Sequence, residues 1–184
     1  MKKNSQKQNS ISLVFVALTA AITSILSQIA LPFPTGVPMT LQTFAFALVG
    51  YVLLPKLSFY SIFLYLLLGA IGLPVFANLR GGLMHLLGLT GGFLWGSLIL
   101  VLLTGLGSKY RRPFHAISLG LLGLVLFHIA GILQYALLTQ NTLWTSFFLI
   151  SLPYILKDVL SVVGAYYAGK FIKKQLWKSG IVLL

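Results

Sequence analysis

Among 184 residues there is one acidic side chain, Asp158. A single carboxylate excludes acid/base catalysis by a pair of carboxylates within this chain. Cysteine is absent. That rules out disulfides, thiolate metal sites and cysteine nucleophiles, and leaves the redox compartment unreadable. Charged residues of both signs reach only 8%, where soluble domains carry about 25%. The motifs of common enzymes are missing too. No Gly-Lys-Ser/Thr phosphate loop, HExxH pair or G-x-S-x-G elbow occurs. His85, His115 and His128 are scattered, with no carboxylate near them in sequence, so neither a metal site nor an enzyme is expected.

What remains is apolar. Hydrophobic residues make up 58%, and the mean hydropathy is +0.98. Such a chain has too little polar surface to cover a water-soluble fold, so it reads as an integral membrane protein. At about 20 residues per crossing, the length allows roughly six spans and no separate soluble domain. The net charge of +12 does not indicate a nucleic-acid partner. Lys2, Lys3 and Lys7 precede the first apolar run; Lys56 sits in a tight turn; Lys109, Arg111 and Arg112 form one cluster; Lys170, Lys173, Lys174 and Lys178 form the last. These are the places where a bundle returns to one face, the cytoplasmic side by the positive-inside rule. There they meet anionic lipid.

A pass along the chain predicts a cytoplasmic tail over 1–10 and spans over 11–30, 39–54, 58–71, 92–107, 114–138 and 153–173, all in one membrane domain over 1–184. Pro32, Pro34, Gly36 and Pro38 break the helix after the first span. The segment 72–92 is too rich in glycine for a lipid-facing helix. It reads as a long outer loop, with a short helix around 83–87, folded over the bundle. The last span is expected to start at Pro153, since proline suits the first turn of a helix. Residues 141–152 then form an outer amphipathic stretch carrying Trp144.

Asp158 thus falls about one and a half turns inside the outer surface. A carboxylate there costs on the order of 2.5–3.5 kcal/mol to insert. It is expected either to accept hydrogen bonds from a ligand's N–H groups or to pair with Lys157 or Arg80 and fix helix packing. Lys157 can face the same site or snorkel outward. Asp158 and Ser161 are three apart on the helix, and Lys157 and Ser161 four apart, so the three can line one side of a pocket. Arg80 and Asn78 lie in the outer loop, where Arg80 can grip a carboxylate. Gln42 begins the second span and can bond a ligand or a neighbouring helix. Gly81, Gly82, Gly91 and Gly92 allow tight turns. Ala17 and Ala21, four apart in the first span, let another helix approach closely: that of a partner, or one of the chain's own.

Four stretches, PMTLQTFAFALVG (38–50), GAIGLPVFANLRGG (69–82), LLGLTGGFLWG (86–96) and PYILKDVLS (153–161), resemble the BioY family. BioY proteins are the biotin-specific substrate-binding subunits of energy-coupling-factor (ECF) transporters. The resemblance implies a six-helix membrane bundle in the cell membrane with both termini cytoplasmic. It implies capture of biotin from outside and release inward on docking to a coupling subunit that carries two ATPases. ATP is then used by the partners, and the chain itself needs no cofactor. Asp158, Gln42 and the Gly91-Gly92 turn carry over as binding residues; Asn78 and Arg80 carry over less directly. Phe76, Tyr154 or Trp144 would wall the fused rings, and Arg80 or Lys157 would meet the carboxylate. Ala17 and Ala21 match the docking face of this class, and the loop 72–92 would be the lid. One departure stands out. The family's P-[FY]-x-x-G-D-x-x-K motif has Lys157 at its glycine and Ser161 at its lysine. Lys157 either restores the lost cation or signals a related carboxylated vitamin, such as lipoate. Two rival classes remain: a small proton-linked carrier that titrates Asp158, and an accessory membrane protein with no ligand.

Overall fold

A computed structural model describes residues 2–32 and 37–179, with the side chains of 2–9 left aside. Pro34 and Gly36, expected to break the chain after the first span, lie outside the described residues. The chain is helical almost throughout. Helix α1 (Lys2–Ser27) leads into a two-residue hairpin of β1 (Ala30–Leu31) and β2 (Met39–Thr40), antiparallel, with Ala30 opposite Thr40. Helices α2 (Gln42–Val52) and α3 (Pro55–Ala70) follow. A 3-10 turn (Ala77–Leu79) and short α4 (Leu83–Leu87) precede α5 (Gly91–Gly107), α6 (Pro113–Thr139), α7 (Leu143–Ile150) and α8 (Leu152–Lys178).

Local chemistry accounts for many of these boundaries. Pro55, Pro113 and Pro153 each occupy the first turn of a helix, where a missing N–H costs nothing. Gln140 ends α6 in a left-handed conformation, and the Thr142 hydroxyl caps α7 by accepting from the Thr145 N–H at 3.2 Å. The α7–α8 junction bends by 57°.

Two expectations are corrected. The predicted tail 1–10 is not a separate element, because Lys2–Ser10 continue α1. The predicted span 39–54 is helical only over Gln42–Val52: Met39 and Thr40 pair with Ala30 and Leu31 instead, and backbone committed to a ladder cannot also join a helix. Residues 10–27 of α1 and all of α6 are long and apolar enough to cross a bilayer, and α7 with α8 passes as one bent pair. Helices α2, α3 and α5 are apolar but shorter.

The core joins Phe46, Leu53, Ile62, Tyr65, Leu100 and Val162. Helices α5 and α6 touch backbone to backbone. A Cβ on Gly92 would stand 2.2 Å from the Ala130 carbonyl, and one on Gly131 2.5 Å from the Phe93 ring. Small residues permit such approach where lipid supplies no hydrophobic drive between helices. Hydroxyls cross-link α1 to α3: Thr19 meets Ser61 at 2.7 Å, and Ser27 meets Tyr65 at 3.0 Å. Val16, Thr19, Ala20 and Thr23 turn inward, whereas Ala17 and Ala21 are exposed. These two alanines therefore do not pack inside the chain's own bundle. Leu13, Val14, Leu18, Ile25 and many other large apolar side chains are exposed as well, as a lipid-facing surface requires.

Candidate ligand-binding site

The segment 72–92 is tied down along its length, by Trp95 on α5 to the Leu86 carbonyl at 3.1 Å and at three further places. At the end of α1, the Gln28 side chain donates to the Val75 and Phe76 carbonyls (3.2 and 3.1 Å) and accepts from the Leu79 N–H (2.8 Å). The Gly82 N–H bonds the Gly69 carbonyl at 2.7 Å. On the far side Gln134 of α6 donates to the carbonyls of Leu86 (3.0 Å) and Gly88 (2.7 Å). Phe76 is fully buried beneath Gly69, where an added Cβ would lie 2.0 Å from its ring. Asn78 and Leu79 take left-handed backbone angles, with φ of 58° and 56°.

Beneath this segment lies a cavity with an open mouth. Its upper wall is Ala77, Asn78, Arg80, His85 and Thr90; Gln42 and Thr43 come from α2, and Tyr154, Lys157 and Asp158 from α8. Phe93, Leu94, Phe127 and Ile150 supply apolar surface. Burial, with Arg80 nearby, holds the His85 imidazole below its ordinary pKa, so it is neutral at pH 7.

Charge concentrates at the α8 side. The Asp158 side chain is 4% exposed and contacts two bases: Lys157 Nζ at Oδ1, and His128 Nε2 at 3.3 Å from Oδ2. The Thr43 hydroxyl also reaches it. Lys157 donates to the Thr40 carbonyl at 2.9 Å, which ties the pair to the hairpin. Its side chain is 23% exposed and points into the site, not outward along the helix. His128 Nδ1 lies 2.8 Å from the Ser151 hydroxyl. Two bases, a hydroxyl and the cavity thus surround the buried anion, as its desolvation demands.

The cavity unites Gln42, Asn78, Arg80, Tyr154, Lys157 and Asp158. Ser161 and Gly91 are not among its lining residues. Ser161 lies about 4.5 Å further along α8, in a shallow surface cleft with Phe44, Leu160 and Gly164. Gly91 packs under the loop, where an added Cβ would stand 1.8 Å from the Leu86 carbonyl. It permits close approach rather than presenting a group to a guest. Trp144 is 73% exposed and is not among the residues that line the cavity. Phe76 stacks behind the wall on His85, ring centroids 5.3 Å apart. Arg80 does not pair with Asp158, whose ion-pair contacts among the described residues are Lys157 and His128. Gln42 gives one amide N–H to the Tyr65 hydroxyl at 2.6 Å, which holds the rest of the amide toward the cavity.

Sequence reasoning missed His128, Thr43 and Gln28. A signal existed for His128. It is an ionisable group in the middle of the apolar run of α6, and such groups face interiors and pair.

Comparison with known proteins bears on the family and the fold. The profile of the BioY family matches residues 1–178. The probable biotin transporter BioY of Pyrococcus horikoshii is 39% identical over 150 residues, covering 82% of this chain and 88% of that protein. Biotin transporter BioY2 of Lactococcus lactis is 41% identical over 137 residues, covering 74% and 70%. A crystal structure of the S-component for biotin from an ECF-type ABC transporter superposes with a TM-score of 0.82. It shares 27% identity and covers 91% of this chain and 93% of its own.

Proposed function

Because the chain belongs to the BioY family, we propose that it is the biotin-binding S component of an ECF-type transporter. It captures biotin in the Asp158 cavity from outside the cell. It then releases the vitamin inward when docked on a coupling subunit driven by two ATPases, which hydrolyse the ATP. The observation that carries this reading is the buried Asp158 carboxylate, paired with Lys157 and His128, on the wall of an otherwise largely apolar cavity.

The chemistry divides the ligand into two ends. Asp158 accepts the N–H groups of the ring urea, and Gln42 and Thr43 complete the polar floor. Phe93, Leu94, Phe127 and Ile150 receive the fused rings and aliphatic tail. Lys157 touches Asp158, so a carboxylate held by Lys157 would sit beside the urea. Biotin carries its carboxylate at the far end of an alkyl chain from its urea, and one molecule does not present both groups at one pair. Arg80, on the loop side of the cavity, is therefore the carboxylate's partner. Lys157 serves as counter-ion to Asp158, and the variant motif keeps biotin as its ligand.

The bundle crosses the membrane six times as one domain, with both termini cytoplasmic where the lysine clusters lie. The segment 72–92 opens and closes over the cavity. The exposed small face at Ala17 and Ala21 docks on the coupling subunit.

Two tests follow. The purified chain in liposomes should bind labelled biotin but accumulate none, with or without a pH gradient, until the coupling module and ATP are added. Accumulation driven by a pH gradient alone would instead favour a proton-linked carrier. Arg80→Gln should weaken biotin roughly 10- to 100-fold, the value of a charge-assisted hydrogen bond of about 1.5–3 kcal/mol. It should leave biotin methyl ester unchanged in titration calorimetry. Equal losses for acid and ester would remove Arg80 from this role.

A further inference from the structure

The end of the bundle opposite the Asp158 cavity carries a second cleft. Its walls are Tyr51 at the end of α2, Tyr110 and Arg111 in the α5–α6 turn, and Tyr166, Lys170 and Lys173 on α8. Lys170 and Lys173 are three apart and share a helix face, and Arg111 meets them from the neighbouring turn. Three cations gathered in one cleft repel one another. The chain offers them no acidic side chain, because Asp158 is the sole one and contacts Lys157 and His128 at the other end. Lys173 is half-buried, so water alone relieves it only in part.

The depth of the cleft identifies the missing anion. From Asp158 to Lys170 is about 18 Å along α8, and from Pro153 to Lys173 about 30 Å, the thickness of the hydrocarbon core. The three cations therefore lie in the phosphate plane of one leaflet. Tyrosine prefers that plane too, and the wall it forms here is rigid. The Tyr51 hydroxyl donates to the Ala116 carbonyl at 3.1 Å, and its ring meets Tyr166 edge-on with centroids 5.5 Å apart.

We propose that this cleft is a binding site for the phosphate of an anionic glycerophospholipid headgroup, held by Arg111, Lys170 and Lys173. The site rests on the bundle's crossing of the bilayer and not on the ligand of the opposite cavity.

The test uses the full chain in neutral detergent micelles doped with phosphatidylglycerol, with phosphatidylcholine or with neither, and inorganic phosphate as a separate arm. Phosphatidylglycerol should raise the unfolding midpoint by about 5 °C, as a saturating ligand does for a chain of this size, and one molecule should remain bound in native mass spectrometry. Phosphatidylcholine should do neither. The triple variant Arg111→Gln, Lys170→Gln, Lys173→Gln should lose both effects. A control removes three exposed charges at the same end but outside the cleft: Arg112→Gln, Lys174→Gln, Lys178→Gln. It should retain both effects. Far-ultraviolet circular dichroism and a single elution peak, measured on both variants, report that they are folded. Equal losses in the two triples would mean general charge attraction and overturn the site. Full stabilisation by inorganic phosphate alone, with no further gain from lipid, would assign the cleft to a soluble anion and overturn the lipid assignment.

Discussion

Asp158→Asn is expected to weaken biotin by about 100-fold or more. The substitution keeps the shape of the side chain and removes its charge. The urea N–H groups then lose a charged acceptor, and the Lys157 ammonium is left without its counter-ion. Each hydrogen bond to a charged acceptor is worth about 1.5–3 kcal/mol of binding, and breaking the buried ion pair costs about 3–5 kcal/mol of stability. The variant should also unfold at lower temperature without ligand, because the mutual support of Asp158, Lys157 and His128 is structural as well. Calorimetry with biotin and thermal unfolding of the same sample measure both effects. Binding at wild-type strength would mean that the carboxylate serves packing alone.

Phe76→Ala is the second change with a large expected effect, and it acts away from the polar contacts. Phe76 is fully buried. Its ring fills the space left by Gly69 and meets Tyr65 edge-on at 5.4 Å and His85 face-on at 5.3 Å. Removing a buried phenyl ring costs about 3–5 kcal/mol. The cost falls on the segment 72–92, whose polar ties include the latches of Gln28, Gly69, Trp95 and Gln134. The expected results are faster amide exchange across 73–82 and faster biotin release. Exchange and release at wild-type rates would show that the latches alone hold the loop.

The helices were legible because proline and glycine mark their ends in sequence. Pro153 sets the start of α8 to within one residue, and the short helix at 83–87 stands out between Gly82 and Gly88. The hairpin was not legible, since two-residue strands leave no alternating pattern. Nor was the helical continuation of α1 through 2–10, where lysines and amides look like a tail yet favour helix well enough to extend one. Within the site, Asp158 announces itself by scarcity, and Lys157 lies beside it in sequence. His128 comes from a helix 30 residues away, so its partnership is a fact of packing rather than of spacing. Helical periodicity places Ser161 on the face of Asp158, but it does not say how deep the cavity runs. One turn was enough to leave Ser161 outside.

The most direct measurement of the account titrates the wild-type chain with biotin and with biotin methylated on its urea nitrogens. One tight site is expected for biotin and binding weaker by about 100-fold for the methylated vitamin, because a buried carboxylate without N–H donors gains nothing from the guest. Equal affinity for the two, or no binding of biotin at all, would contradict it.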